Sequence, residues 1–217
     1  AKLGLWADAK NREDADKPPE PKAGAKTKTF AAKLADITDG SSVHLHEVPK
    51  AAGEGLPAPP SKLDAVLAKM ASYAPGAPSA DGYRRNAVVA ATFDDGSGPA
   101  WYRAKVLEVD KDTKKYKIKF LDFGNVEVGV AAAALRPLDA TAAALPFAAT
   151  EVGLAHVTAP GLEDDYGEDA AKMVHELCWG KDLKVTEVHV YKAEKTMAEI
   201  AFADDADGLS LNELLVQ

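Results

Sequence analysis

Apolar positions along this 217-residue chain change their period several times, and each change marks a different piece of structure. Phe30 to Ile37 and Val43 to Val48 are short apolar-rich runs divided by Asp39-Gly40, a turn pair, and together they predict a β-hairpin. After a polar, Pro/Gly-rich loop, Leu63, Val66, Leu67 and Met70 recur at helical spacing behind Ser61 and Asp64, a capping arrangement. One amphipathic helix is therefore predicted over 62–73, ended by the Pro/Gly-rich stretch from Pro75 to Asp81. From Asn86 the period drops to two. Runs at 87–93, 101–109, 116–121 and 126–130, with a short closing segment at 135–138, read as four or five short strands. Such spacing favours a small closed barrel over an open sheet.

The pattern then turns mixed. A strand is predicted over 151–157, and Ala170, Met173, Val174 and Leu177 form a helical stripe that stops at Gly180, a C-terminal cap. Leu183 to Val190 and Met197 to Phe202 pair as a hairpin whose alternation slips near Thr186-Glu187, as a bulge would make it. Ser210 and Glu213 cap a last short helix. Strands and a helix, a compact barrel, then strands and helices again: this order predicts one outer domain with the barrel inserted into it.

Composition narrows the chemistry. No apolar run approaches the length that spans a bilayer, and no secretion signal is visible, so a soluble intracellular protein is expected. A single cysteine, Cys178, excludes a disulfide framework and a tetrathiolate zinc site, and reads as a buried small hydrophobe. The formal net charge of −8 argues against nonspecific nucleic-acid binding by the chain as a whole. The stretch from Arg84 to Val130 is slightly basic, however, with nine Lys and Arg against seven acids. Within it, Lys111, Lys114, Lys115, Lys117 and Lys119 form either a solvated hairpin, the favoured reading, or a surface for RNA or acidic protein. Residues 8–28 have the charged, Pro/Ala-rich composition of a linker, and Ala1 to Trp6 reads like the tail of an earlier helix, as in a piece of a longer protein.

The most informative residues are aromatic. Phe93 ends the first barrel strand, Tyr102 lies at the start of the second, and Phe120-Leu121-Asp122-Phe123-Gly124-Asn125 covers the end of the third and its turn. Hairpin closure brings Phe93 near Tyr102, and a closed barrel sets Phe120 and Phe123 on the same rim. Four rings around one opening would hold a cation against their negative faces. A methylated guanidinium suits such a box, since it keeps its charge while losing donors, and Asn125 can accept a hydrogen bond from a remaining N–H. The pattern alone equally allows ordinary core and hairpin-pair rings. Asp122 reads either as an added charge in the site or, preferably, as a carboxylate bracing its turn through backbone N–H groups. Trp101 should face the other way and pack between barrel and neighbour.

Phe93 through Tyr102-Arg103-Ala104, followed by Phe120 to Asn125, resembles the Tudor core of the Tudor staphylococcal nuclease family. Ser210-Leu211-Asn212-Glu213 after Ile200-Ala201-Phe202-Ala203 is similar to that family's nuclease-like module, and Ala1 to Trp6 to the end of a preceding repeat. The resemblance implies a mainly β fold with helices, a five-stranded SH3-like Tudor barrel inserted into a split staphylococcal-nuclease-like OB-fold. On that plan 1–28 is the end of a preceding repeat plus linker, 29–82 the first part of the OB-like module with the connecting helix, 83–139 the barrel, and 140–217 the second part. It further implies recognition of symmetrically dimethylated arginine in Arg/Gly-rich tails of spliceosomal and RNA-granule proteins, within an RNA-regulating scaffold of the cytoplasm, nucleus or RNA granules. Carried over by position, Phe93, Tyr102, Phe120 and Phe123 match the cage walls and Asn125 the polar contact. Phe120 and Phe123 stand where the family often has Tyr, and the loop from Asp94 to Pro99 is longer than the family pattern.

The competing expectation is an RNA-binding or RNA-cleaving nuclease module. The family's nuclease repeats use Asp, Glu and Arg around calcium, and the outer strands here show no matching arrangement of an Arg with paired acids. A non-catalytic fragment with no cofactor and no metal is therefore expected, leaving nuclease activity to other repeats. Ala203 to Gly208 departs from a calcium loop at its first and twelfth positions, Ala203 and Leu214, and reads as a turn. His44 and His46 share one strand face and lack a third ligand, so an exposed strand face is expected there.

Overall fold

The computed structural model describes residues 28–51, 53, 57–94, 96, 98–191, 195–205 and 208–216. The expected linker and the resemblance at Ala1 to Trp6 thus lie outside the described residues, Lys28 excepted, as do Asp95 and Ser97 of the loop after Asp94 and two residues of the loop after Ala203.

The outer strands form a hydrogen-bonded closed barrel ordered β1-β2-β8-β10-β9. Its members are β1 (Thr29–Asp39), β2 (Ser42–Val48), β8 (Ala149–Leu154), β9 (Leu183–Tyr191) and β10 (Lys195–Phe202). Inside lie Phe30, Ala32, Leu34, Val43, Leu45, Val152, Leu154, Val185 and Ile200. The helix predicted from the stripe at 170–177 spans Asp165–Cys178, here α3, and adds Val174 and Cys178 to that core. Asn212, on the short helix α4 (Leu211–Leu214), accepts from the Ile200 N–H and donates to the carbonyls of Ala155 and Ala198. It ties the end of the chain to the parallel pair of β8 and β10. The expected bulge in the last hairpin is present as a register shift where Met197 pairs with His189 and Ala198 with Glu187.

Between β2 and β8 the chain builds a second sheet, ordered β6-β5-β4-β3-β7. Its strands are β3 (Val88–Asp94), β4 (Pro99–Val109), β5 (Lys115–Phe120), β6 (Val126–Ala131) and β7 (Leu135–Pro137). The sheet wraps around Val89, Ala91, Ala104, Val106, Tyr116, Ile118, Phe120, Val130 and Leu135. Helix α1 (Lys62–Ala71) starts at a complete Ser61/Asp64 capping box and lies against this sheet. Its Val66 and Met70 bury with Ala90, with Trp101 and Tyr73 packed alongside, which is the role expected of Trp101. Ala142, on the single turn α2 (Ala140–Ala143), completes that cluster as the chain returns to the outer barrel.

The face of β2 carrying His44 and His46 is not exposed, contrary to the sequence expectation. His44 is 3% accessible, and its Nδ1 lies 3.2 Å from the Thr38 hydroxyl. The turn after β5 covers it: a Cβ on Gly124 would stand 2.2 Å from the His44 ring. A strand face that looks solvated when read alone is here the seat of the inserted unit.

Candidate functional site

The inserted sheet leaves its aromatic core open at one end. On β3 and β4, Ala91 pairs with Tyr102 and Phe93 with Ala100, so Phe93 and Tyr102 are diagonal neighbours on one face. Phe120 pairs with Ala104, two residues beyond Tyr102, and joins the same face. Gly124 N–H then bonds back to the Phe120 carbonyl, and Phe120 N–H to the Asn125 carbonyl. This tight turn swings Phe123 over the opening, and Gly124 supports it at φ +108°, a conformation natural to glycine.

The rings meet edge to face. Centroid separations are 6.4 Å for Phe93 and Tyr102, 5.3 Å for Phe93 and Phe120, 6.2 Å for Tyr102 and Phe120, and 5.6 Å for Tyr102 and Phe123. Together they bound an open cavity of about 290 Å³ lined by Ala35, Asp36, Phe93, Tyr102, Phe120, Phe123 and Asn125. All five residues singled out from the sequence therefore line one cavity. Phe120 is its buried floor, at 1% accessibility, and Phe93 its exposed lip. Asp94 folds the loop beyond that lip by accepting the N–H groups of Gly96 and Gly98.

Two lining residues, Ala35 and Asp36, come from β1 of the outer barrel and have no counterpart in the sequence reading. Burial raises the Asp36 carboxyl above its ordinary value, and the Ile37 N–H, His44 and Lys119 only partly offset this. Nearby, Glu151 is held down to about 2 by His44, against the cost of its burial and with help from Lys119. Its Oε2 lies 3.3 Å from His44 Nε2 and 3.0 Å from Lys119 Nζ.

Asp122 is not the brace of its own turn. It is buried at 2% accessibility and faces away from the cavity into a clamp with Arg103. The Arg103 Nε–H and one Nη2–H reach its two oxygens, at 2.8 and 2.5 Å, and the remaining three donors go to the carbonyls of Ala142, Leu145 and Pro146. Asp122 also accepts the Ala148 N–H, and its carbonyl accepts from His46 Nε2 at 2.6 Å. His46 in turn meets Phe123 edge-on at 5.6 Å. The clamp therefore joins the cage turn, β4, the returning chain and the outer barrel. A signal for it lay in the sequence: an arginine directly after one cage ring and an acid between two others.

Of the five hairpin lysines, Lys111, Lys114 and Lys115 are exposed, whereas Lys117 meets Glu108 at 3.4 Å and Lys119 meets Glu151. Among the described residues, no group of three or more His, Cys, Asp or Glu side chains converges as a metal site would.

A family model described as Tudor domain matches residues 58–156, the stretch that holds the second sheet and the four rings. The chain contains a Tudor domain. Ribonuclease TUDOR 1 of Arabidopsis thaliana is 33% identical over 103 residues, 45% of this chain but 10% of that protein, so the chain spans only about a tenth of this curated relative. Among solved structures, extended Tudor domain TD3 of mouse TDRD1, in complex with a MILI peptide containing dimethylarginine 45, superposes with a TM-score of 0.68 at 21% identity. That likeness covers 87% of this chain and 90% of the other. The extended Tudor domain of Drosophila melanogaster Tudor-SN (p100) gives 0.67 at 22% identity, over 88% and 82%. The shared fold is thus the extended one, Tudor sheet and outer barrel together, and Tudor domains are binding modules rather than enzymes.

Proposed function

We propose that this extended Tudor domain reads symmetrically dimethylated arginine in Arg/Gly-rich protein tails, without catalysis of its own, as part of an RNA-regulating scaffold of the cytoplasm, nucleus and RNA granules. The observation that carries the reading is the cavity walled by Phe93, Tyr102, Phe120 and Phe123 with Asn125 at its side. Ring faces attract a cation by about 0.5–2 kcal/mol per well-placed contact. Methylated guanidinium is suited to them because each methyl replaces a donor that an apolar wall would leave unpaired. Asn125 supplies an acceptor for a remaining N–H. Structural neighbours that hold dimethylarginine peptides support the reading.

Titration with one Arg/Gly peptide in unmodified, asymmetrically and symmetrically dimethylated forms tests it. The symmetric form should bind tightest, and Phe123→Ala should weaken it by about 3- to 30-fold, the removal of one wall. Equal affinity for the three forms would refute the proposal. The RNA reading is less well supported, since Lys117 and Lys119 already face carboxylates. RNA binding that weakens steeply with salt would be needed to revive it.

A further inference from the structure

We infer that Asp36 is the counter-charge for the cation in the aromatic cavity, so that the outer barrel, and not the Tudor sheet alone, decides which side chain the site accepts. The inference rests on the methylarginine reading and extends it to a residue from the other unit.

The first ground is the path of β1. Phe30, Ala32 and Leu34 alternate into the barrel core, and unbroken alternation would carry position 36 in after them. The ladder is broken there: Leu34 pairs with Leu45 but Asp36 with His44, leaving Ala35 as an extra residue. Past this bulge it is Ile37 that packs against the core, while Ala35 and Asp36 both line the cavity. Bulges re-aim side chains beside functional sites, and this one turns a carboxylate out of an apolar core and toward four aromatic rings.

The second ground is charge. Among the described residues lining the cavity, Asp36 is the one with a formal charge. The two side chains whose fields reach it, His44 and Lys119, both lie against Glu151, at 3.3 and 3.0 Å. Asp36 is partly desolvated, and its raised carboxyl shows that this desolvation outweighs those fields. A cation entering the cavity supplies what is missing. Methylarginine keeps that cation and retains N–H donors, so the carboxylate of Asp36 and the amide oxygen of Asn125 can each take one. A neutral side chain of similar shape gains the ring contacts without the charge pairing.

The experiment is calorimetric titration of the chain and its Asp36→Asn variant with one Arg/Gly peptide carrying symmetric dimethylarginine, unmodified arginine or citrulline at the same position. The wild type should prefer dimethylarginine over both others. Asp36→Asn should weaken the dimethylarginine peptide by at least about tenfold, between the value of an exposed and a desolvated ion pair, while keeping its melting temperature. Preference for dimethylarginine over arginine with unchanged affinity in Asp36→Asn would overturn the inference and leave the cage intact. So would a wild type that binds citrulline as well as dimethylarginine, a result that needs no variant. No preference for dimethylarginine over arginine in the wild type would instead remove the methylarginine reading itself.

Discussion

Exchanging Arg103 for lysine keeps the charge and should nevertheless cost the fold several kcal/mol. The guanidinium has five N–H donors, and each is used: two on the Asp122 carboxylate and one each on the carbonyls of Ala142, Leu145 and Pro146. These acceptors surround a planar fork whose side chain is wholly buried. A lysine ammonium offers three donors from one nitrogen and cannot reproduce that fan. At least two of these five acceptors, three of them in buried bonds, lose their partner, at about 1–3 kcal/mol each, so the loss falls near 2–6 kcal/mol. The range overlaps the roughly 3–5 kcal/mol typical of breaking a buried ion pair from one side. Against a total stability of about 5–15 kcal/mol, that is a large fraction. Urea unfolding followed by tryptophan fluorescence reads it as a lower midpoint at similar slope. Asp122→Asn should fall in the same range, since it leaves Arg103 charged and buried. A loss under about 1 kcal/mol in both variants would refute the reasoning and mean that water or a rearranged loop replaces the clamp at little cost.

Two other predictions concern the seat of the Tudor unit on the outer barrel. Gly124→Ala places a methyl within 2.2 Å of the buried His44 ring and strains a backbone at φ +108°. It should destabilise by about 1–3 kcal/mol or more and weaken peptide binding with it, which paired melting and titration would check. Glu151 is held to about 2 against an unfolded reference of 4.5, so its contribution is present above pH 4.5 and lost as pH falls toward 2. Glu151→Gln should therefore flatten the loss of stability between those limits, measured as the urea midpoint at stepped pH, and identical slopes for the two proteins would refute it.

What could be read from the chain, and what could not, follows from how far apart the cooperating residues lie. Phe93, Tyr102, Phe120, Phe123 and Asn125 sit on three consecutive strands and a turn, so alternation plus hairpin closure suffices to gather them on one face. The same local logic recovers the Ser61 and Ser210 caps and the slip in the last hairpin. It fails wherever the partner strand decides the outcome. His44 and His46 alternate as solvent-facing residues should, and only the docked turn around Gly124 makes their face an interior. Asp122 looks like a turn residue because the turn is visible in sequence, whereas the guanidinium that claims it, and the Ala148 N–H beside it, are brought in by the fold.

Asp36 is the sharpest case. A bulge is one extra residue relative to a neighbour, and no property of β1 taken alone distinguishes it from a strand that continues in phase. With the phase kept, position 36 belongs to the core and an aspartate there looks like a folding defect. With Ala35 left over in the ladder, Ile37 takes the inward place and the carboxylate becomes part of a pocket assembled mainly by residues more than fifty positions later. The two units are therefore coupled at the site itself. The Tudor sheet contributes apolar walls that tolerate methyl groups, while the outer barrel contributes the charge and, through His44 and His46, the surface on which the turn bearing Phe123 rests. An isolated Tudor sheet would keep three of its rings on one face by strand register alone, but it would lack both the support for the fourth wall and the carboxylate. On this physical account the extended architecture is a requirement of the pocket rather than an appendage to it.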